Sequence, residues 1–258
     1  MTDPDFESHR SRLFAIAYRM LGSAMDADDM VQEAWLRYQQ VDAAAIQSPQ
    51  AYLTTIVTRL CLNQLTSARA QRESYIGPWL PEPILTSSDT LFYTPAHHVN
   101  QYESISVAFM FLLERLSPAE RAVFLLREVF DYEYDEIAAI LDKSEAACRQ
   151  LFSRAKLHLT AHRPRFESSS SQHDRLIHRF FQAVEGGDLE GLTRLLAEDV
   201  VVWTDGGGKV VAALHPVRGR ELAARFMLNS KQLAPGPFVG EMTSVNGRSA
   251  IILRNQEG

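Results

Sequence analysis

Cysteine is scarce in this chain, long apolar runs are missing, and there is no overall excess of positive charge. The 258 residues hold two cysteines, Cys61 and Cys148. Both fall at apolar positions of helical periodicity, so they read as buried, reduced thiols rather than a disulfide or a metal pair. His97-His98 is followed by no second ligand pair at zinc spacing, so no metal site is expected. No apolar stretch approaches the ~20 residues that cross a bilayer. The segment Met1–Arg12 lacks the apolar core of a secretion signal. These absences point to a cytoplasmic protein that holds no metal or cofactor and makes no membrane contact.

Net charge is -6 at pH 7, which argues against nucleic acid if charge is taken as a sum. Its distribution says more. Between Ala43 and Arg72 there is no acid, and Arg59, Arg69 and Arg72 stand alone. Between Lys143 and Arg165 six basic residues face Glu145 only. Two basic islands lie in an acidic chain. The hydrophobic fraction of 46% is ample for two or three small cores.

The periodicity divides the chain. Phe6–Leu21 reads as an amphipathic helix with Leu13, Phe14, Ala17, Met20 and Leu21 on one stripe, ended by Gly22. A second helix begins at Asp26, its acids suiting the positive end of the helix dipole. Met30, Val31, Ala34, Trp35 and Tyr38 form its apolar face. A third helix follows Ser48-Pro49, with Tyr52, Leu53, Ile56, Val57, Leu60 and Leu65 inward. Its opposite face carries Thr54, Thr55, Thr58, Arg59 and Asn63. Pro78, Pro81, Pro83 and Pro95 then make an extended linker. Helical pattern resumes at Gln101. Ser117-Pro118-Ala119-Glu120 is a capped helix start, and the helix runs on to Phe130.

Tyr134–Leu141, a short turn, and Ser144–Leu159 read as a helix-turn-helix. Ser144 can cap the second helix. Cys148, Phe152, Ala155 and Leu159 form its inward stripe, which turns Arg149, Gln150, Ser153 and Arg154 outward. Arginine and glutamine are the side chains that pair with guanine and adenine edges. Lys143, Lys156 and Arg163 are placed for phosphates. The same pattern also suits an ordinary helical hairpin with a solvated basic face. After a polar hinge at Glu167–Gln172 the style changes to α+β. Helices cover His173–Glu185, Leu189–Leu196 and Glu221–Leu228. Strands are expected at Val200–Trp203, Lys209–Leu214, Gly240–Val245 and Ser249–Arg254, the last two joined at Asn246-Gly247.

Taken together, Arg12-Leu13-Phe14-Ala15-Ile16-Ala17-Tyr18-Arg19 and Asp26–Arg37 resemble region 2 of an extracytoplasmic-function (ECF) sigma factor. Leu116–Arg121 through Arg154-Ala155-Lys156 resembles its region 4. The resemblance implies a multidomain fold. Region 2 spans 1–73, a linker 74–103, region 4 spans 104–165, a hinge 166–171, and a last domain 172–258. It implies that Asp28, Asp29, Gln32 and Glu33, beside Trp35, dock on the β′ coiled coil of RNA polymerase core, with a second contact at the β flap. It implies that Thr58, Arg59 and Asn63 meet the −10 strand. It implies that Arg149, Gln150, Ser153 and Arg154, with Lys156, bind the −35 element of promoter DNA.

Two further motifs resemble those of sigma factors that carry a C-terminal SnoaL-like domain. They are Tyr75–Pro83, with Trp79, Leu80 and Pro81 at its centre, and Asp205-Gly206-Gly207-Gly208-Lys209. The resemblance implies an α+β cone, incomplete at its C-terminus, that packs on the linker and region 2 and regulates the factor without a separate anti-sigma factor. A small-molecule ligand of that domain stays open. Asp205, His215 and Glu221 are polar, yet no spacing among them demands catalysis, so no enzyme is expected. Two rival readings remain: a stand-alone ligand-sensing regulator of transcription, and a cyclase or isomerase fused to a helical module.

Overall fold

The computed structural model describes residues 4–42, 46–72, 79–86, 106–160, 170–207, 210, 212–233 and 238–255. They fall into two units. The first comprises Met1–Ser74 with Pro81–Pro164, and the second Tyr75–Leu80 with Arg165–Gly258. Leu80-Pro81 is one of three places where the chain passes between units, with 74–75 and 164–165, and His97-His98 lies outside the described residues.

The first unit is helical. It opens with α1 (Pro4–Leu21), α2 (Ala24–Tyr38) and α3 (Pro49–Arg72). Gly22 follows α1 with φ +73°, a left-handed conformation that glycine adopts without strain. That reversal lets Ser23 cap α2, accepting from the Asp26 N–H at 3.2 Å. Ser48 caps α3 in the same way through the Ala51 N–H. The apolar stripes meet as their spacing demands: Leu13, Ile16 and Met20 of α1, Val31 and Ala34 of α2, and Leu53, Val57 and Cys61 of α3 are buried together. Trp35 packs on Phe6, ring centroids 4.8 Å apart.

The unit continues with α4 (Val107–Leu113), α5 (Pro118–Phe124), α6 (Tyr134–Leu141) and α7 (Glu145–Thr160). Ser117 and Glu120 close the expected capping box. Beyond Phe124 the helix does not stay regular. Leu125–Val129 widens into π-type turns, which keeps Leu125, Leu126 and Val129 all buried. Asp142 takes a left-handed conformation, φ 54°, and ends α6. Ser144 then accepts from the Ala147 N–H and starts α7. Leu151 is buried beside Cys148 and Ala155, a position the sequence pattern had left off the inward stripe. Buried residues of both halves, α1–α3 and α4–α7, form one continuous core.

The second unit contains α8 (Ser170–Gly186), α9 (Leu189–Leu195), β1 (Val201–Val202), β2 (Val217–Arg218), α10 (Arg220–Leu233), β3 (Phe238–Val245) and β4 (Arg248–Asn255). Strand β1 pairs antiparallel with β2, and β3 with β4. Asn246 and Gly247 both have positive φ, the requirement of the tight two-residue hairpin turn. Gly240 lies directly under the Phe181 ring, where any Cβ would collide. One expectation fails. No strand forms over the described residues between 209 and 214, because their main-chain groups are used locally. The Val210 N–H bonds Gly206 O, and the Ala213 N–H bonds the Thr204 hydroxyl. The partner of β1 is instead Val217–Arg218, which the periodicity did not reveal.

Candidate nucleic-acid interface

Helix α7 turns a basic face to solvent. Arg149, Gln150, Ser153, Arg154 and Lys156 are all exposed, as the stripe of buried Cys148, Leu151 and Ala155 requires. The basic side chains are held lightly. Arg149 pairs with Glu145 one turn back at 3.3 Å, Arg154 with Glu120 at 3.3 Å, and Lys156 with Glu128 at 3.3 Å. In the Arg149 and Lys156 pairs both partners are more than a third exposed, so these two contribute at most about 1 kcal/mol each and give way easily to a phosphate or a base.

Orientation comes from an aromatic side chain that the sequence pattern did not single out. The Arg149 guanidinium lies over the Tyr134 ring, 4.3 Å from its centroid. Arg127 stands 5.3 Å from the same ring, and Phe152 meets it edge-on at 6.0 Å. Arg127 is fixed by a hydrogen-bonded pair with Glu133, which raises its pKa. Tyr134 thus presents Arg149 at the start of α7, where base-reading side chains work. Glu120 anchors the other end. Burial pushes its carboxyl up, but hydrogen bonds from Ser117 and the nearby His158 and Arg154 pull it further down, to a net value below the ordinary carboxylate range.

The expected face of α3 is only partly open. Asn63 and Arg59 are exposed. Thr54 and Thr58 are fully buried, so Thr58 cannot meet a DNA strand in this arrangement. The reason is that the helix-turn-helix half covers that side. Thr54 shares a hydrogen bond with the Tyr132 hydroxyl at 2.9 Å. Arg59 donates from Nε to Ile140 O at 2.9 Å and from Nη2 to Ala139 O at 3.2 Å.

On α2, Asp28, Asp29 and Gln32 are exposed, and Glu33 pairs with Arg37 at 2.8 Å. Arg10 reaches Asp28 at 3.5 Å. Met25 and Leu36 are exposed at either end of the same face, one and two turns from the acids. The helical period that marks the buried stripe carries no signal for these two side chains. Trp35 belongs to that inner side, against Phe6.

The linker motif divides its bonds. In the second unit, the Leu80 N–H donates to Asp205 Oδ2 at 2.9 Å, while Asp205 Oδ1 accepts from the Gly207 N–H at 2.7 Å. In the first unit, Glu82 donates its N–H to Gly22 O, accepts from the Tyr18 hydroxyl, and caps α2 by accepting from the Ala24 N–H, each at 2.7 Å. Gly208 and Lys209 lie outside the described residues. Among the described residues no group of acids, histidines and cysteines is arranged to hold a metal, and no helix is long and apolar enough to cross a membrane. Burial raises the pKa of both Cys61 and Cys148.

Comparison with known proteins agrees with this geometry. Sigma-70 region 2 matches residues 6–71, and sigma-70 region 4 matches residues 106–159. The chain is 41% identical over 247 residues to the ECF RNA polymerase sigma factor SigJ of Mycobacterium tuberculosis, covering 94% of this chain and 78% of that one. The chain belongs to the ECF sigma factors. A probable ECF sigma factor, SigI, of the same organism is 34% identical over 193 residues, covering 74% of this chain and 65% of its own. The crystal structure of M. tuberculosis SigJ superimposes with a TM-score of 0.73 at 35% identity, covering 95% of this chain and 82% of that one. This sigma factor therefore directs RNA polymerase to promoters. Its helical halves are regions 2 and 4, and its C-terminal helices and small antiparallel sheets match that crystal structure as well.

Proposed function

We propose that this sigma factor reads the −35 element with Arg149, Gln150, Ser153 and Arg154, contacts phosphate with Lys156, and meets the −10 strand with Arg59 and Asn63. The observation that carries this is the oriented, solvent-facing row on α7, with Arg149 stacked on Tyr134. A guanidinium presented edge-out can donate two hydrogen bonds to a guanine. Asp28, Asp29, Gln32 and Glu33, flanked by Met25 and Leu36, form the surface for the β′ coiled coil of polymerase core, and region 4 meets the β flap. Trp35 supports that helix from within.

The C-terminal domain, SnoaL-like by its motifs, acts in this reading as an in-chain regulator through Leu80 and Asp205. It takes the place of a separate anti-sigma factor and catalyses nothing. The factor works in the cytoplasm, where its polymerase is. The test is run-off transcription with core enzyme on a library of −35 variants. Arg149→Ala should lose about 1–3 kcal/mol of discrimination at one base position. Lys156→Ala should weaken all promoters alike and lower the salt slope by about one. A uniform loss from Arg149→Ala would move that residue to the phosphate class.

A further inference from the structure

We propose that Glu82 of the linker is a positioning residue for polymerase docking: it fixes the first turn of α2, the helix whose acids meet the core enzyme. The proposal rests on the assignment of Asp28, Asp29, Gln32 and Glu33 to that contact. A helix leaves its first amide groups without partners inside the helix. In α2 the Asp26 N–H is taken by Ser23, the local cap. The Ala24 N–H is taken by Glu82 Oε2 at 2.7 Å, a residue 58 positions away. The docking acids begin one turn past Ala24. A carboxylate at this end also suits the positive pole of the helix dipole.

The corner before α2 has little of its own to hold it. Gly22 and Ser23 alone join α1 to α2, and main-chain groups around them are bonded by distant segments. Gly22 O accepts from the Glu82 N–H at 2.7 Å, and Met20 O accepts from Arg121 at 2.6 Å. The Tyr18 hydroxyl donates to Glu82 O at 2.7 Å. Glu82 thus bonds α1, the corner and α2 with its carbonyl, its N–H and its carboxylate. A short turn through glycine permits a range of helix angles, and bonds from a third segment select one.

The sequence around Glu82 prepares it for this. Leu80 and Glu82 each precede a proline, which confines both to extended backbone, and Pro81 and Pro83 fix their own φ. Pro81 is buried, its Cα 3.7 Å from where a Cβ on Gly22 would lie. Ile84 packs on the core of the first unit, and Thr86 is buried. The segment is anchored on both sides of Glu82, so the carboxylate is delivered with little conformational freedom left to lose. Without it the first turn of α2 frays, and docking must restore that turn before the acids engage. The cost then falls on affinity for core polymerase and not on the choice of promoter.

The experiment measures binding of the full chain to immobilised core polymerase, with circular dichroism to confirm that each variant is folded. Glu82→Ala should weaken binding by roughly 2- to 30-fold, the worth of a helix cap expressed as an equilibrium constant. It should also speed hydrogen exchange in the first turn of α2, while relative transcription from −35 variants keeps the ratios of the parent. Glu82→Gln keeps an oxygen for the Ala24 N–H and should bind within about 5-fold of the parent, the worth of one charge at a helix end. If Glu82→Ala binds like the parent while the double variant Asp28→Lys/Asp29→Lys binds weakly, the proposal is overturned and the docking assignment stands. If that double variant itself binds like the parent, the docking assignment falls and takes the proposal with it. A loss in Glu82→Gln as large as in Glu82→Ala means that the charge itself meets polymerase, and overturns the positioning role.

Discussion

Replacing Arg121 with methionine should destabilise the first unit by about 2–4 kcal/mol. Arg121 is buried, yet it pairs with Glu114 at 2.9 Å and donates to Met20 O at 2.6 Å, tying α5 to the end of α1. Removing one member of a buried pair typically costs about 3–5 kcal/mol, because the other charge is left uncompensated. Glu114 keeps 17% of its side chain exposed, which places the loss at the lower end. The Arg121 Nε is buried without a hydrogen bond, and its removal relieves about 1 kcal/mol. A unit of this size loses roughly 2–4 °C in melting temperature per kcal/mol, so the helical transition should fall by about 4–16 °C. Circular dichroism on heating gives the shift, and urea midpoints give the free energy. Adding Glu114→Gln should recover part of it, since the stranded charge goes as well. A loss below about 1 kcal/mol, or no recovery in the double variant, would refute the reasoning.

Charge reversal at Asp28 and Asp29 should weaken association with core polymerase and leave helicity unchanged, since both acids face solvent; a pull-down with core enzyme reads it. Glu120 has a folded-state pKa below its ordinary value, so the stability it contributes is present above that ordinary value and is lost as pH falls through the lower one. Glu120→Gln should therefore flatten the acid limb of a stability-versus-pH curve. Asp205→Ala deletes the acceptor for the Leu80 and Gly207 N–H groups, and should change promoter-dependent transcription in the same direction as removal of all residues after Ser171. Equal activity from parent, Asp205→Ala and the truncation would leave the C-terminal domain without a regulatory role.

Local pattern alone determined much of this protein. The caps at Ser117 and Ser144, the stop at Gly22, the Asn246-Gly247 hairpin and the outward row on α7 all depend on residues within a few positions of one another, where helical or strand period decides which side chain faces where. The ordered pair of motifs, Asp26–Arg37 and Leu116–Lys156, was enough to suggest the family. What no local pattern holds is which face meets another segment a hundred residues away. Thr54 and Thr58 looked solvent-facing because hydroxyls on a basic helix usually are, yet both are fully buried, and the Tyr132 hydroxyl from the loop before α6 bonds Thr54. Arg59 looked free for DNA, and its carbonyl partners on α6 are main-chain groups that carry no residue signature. Tyr134 gained its role only by standing under Arg149 from a different helix. The missing strand near Val210 failed for a related reason: a β-like run forms a strand only where another strand offers its main chain, and here Thr204 and Gly206 take those hydrogen bonds first.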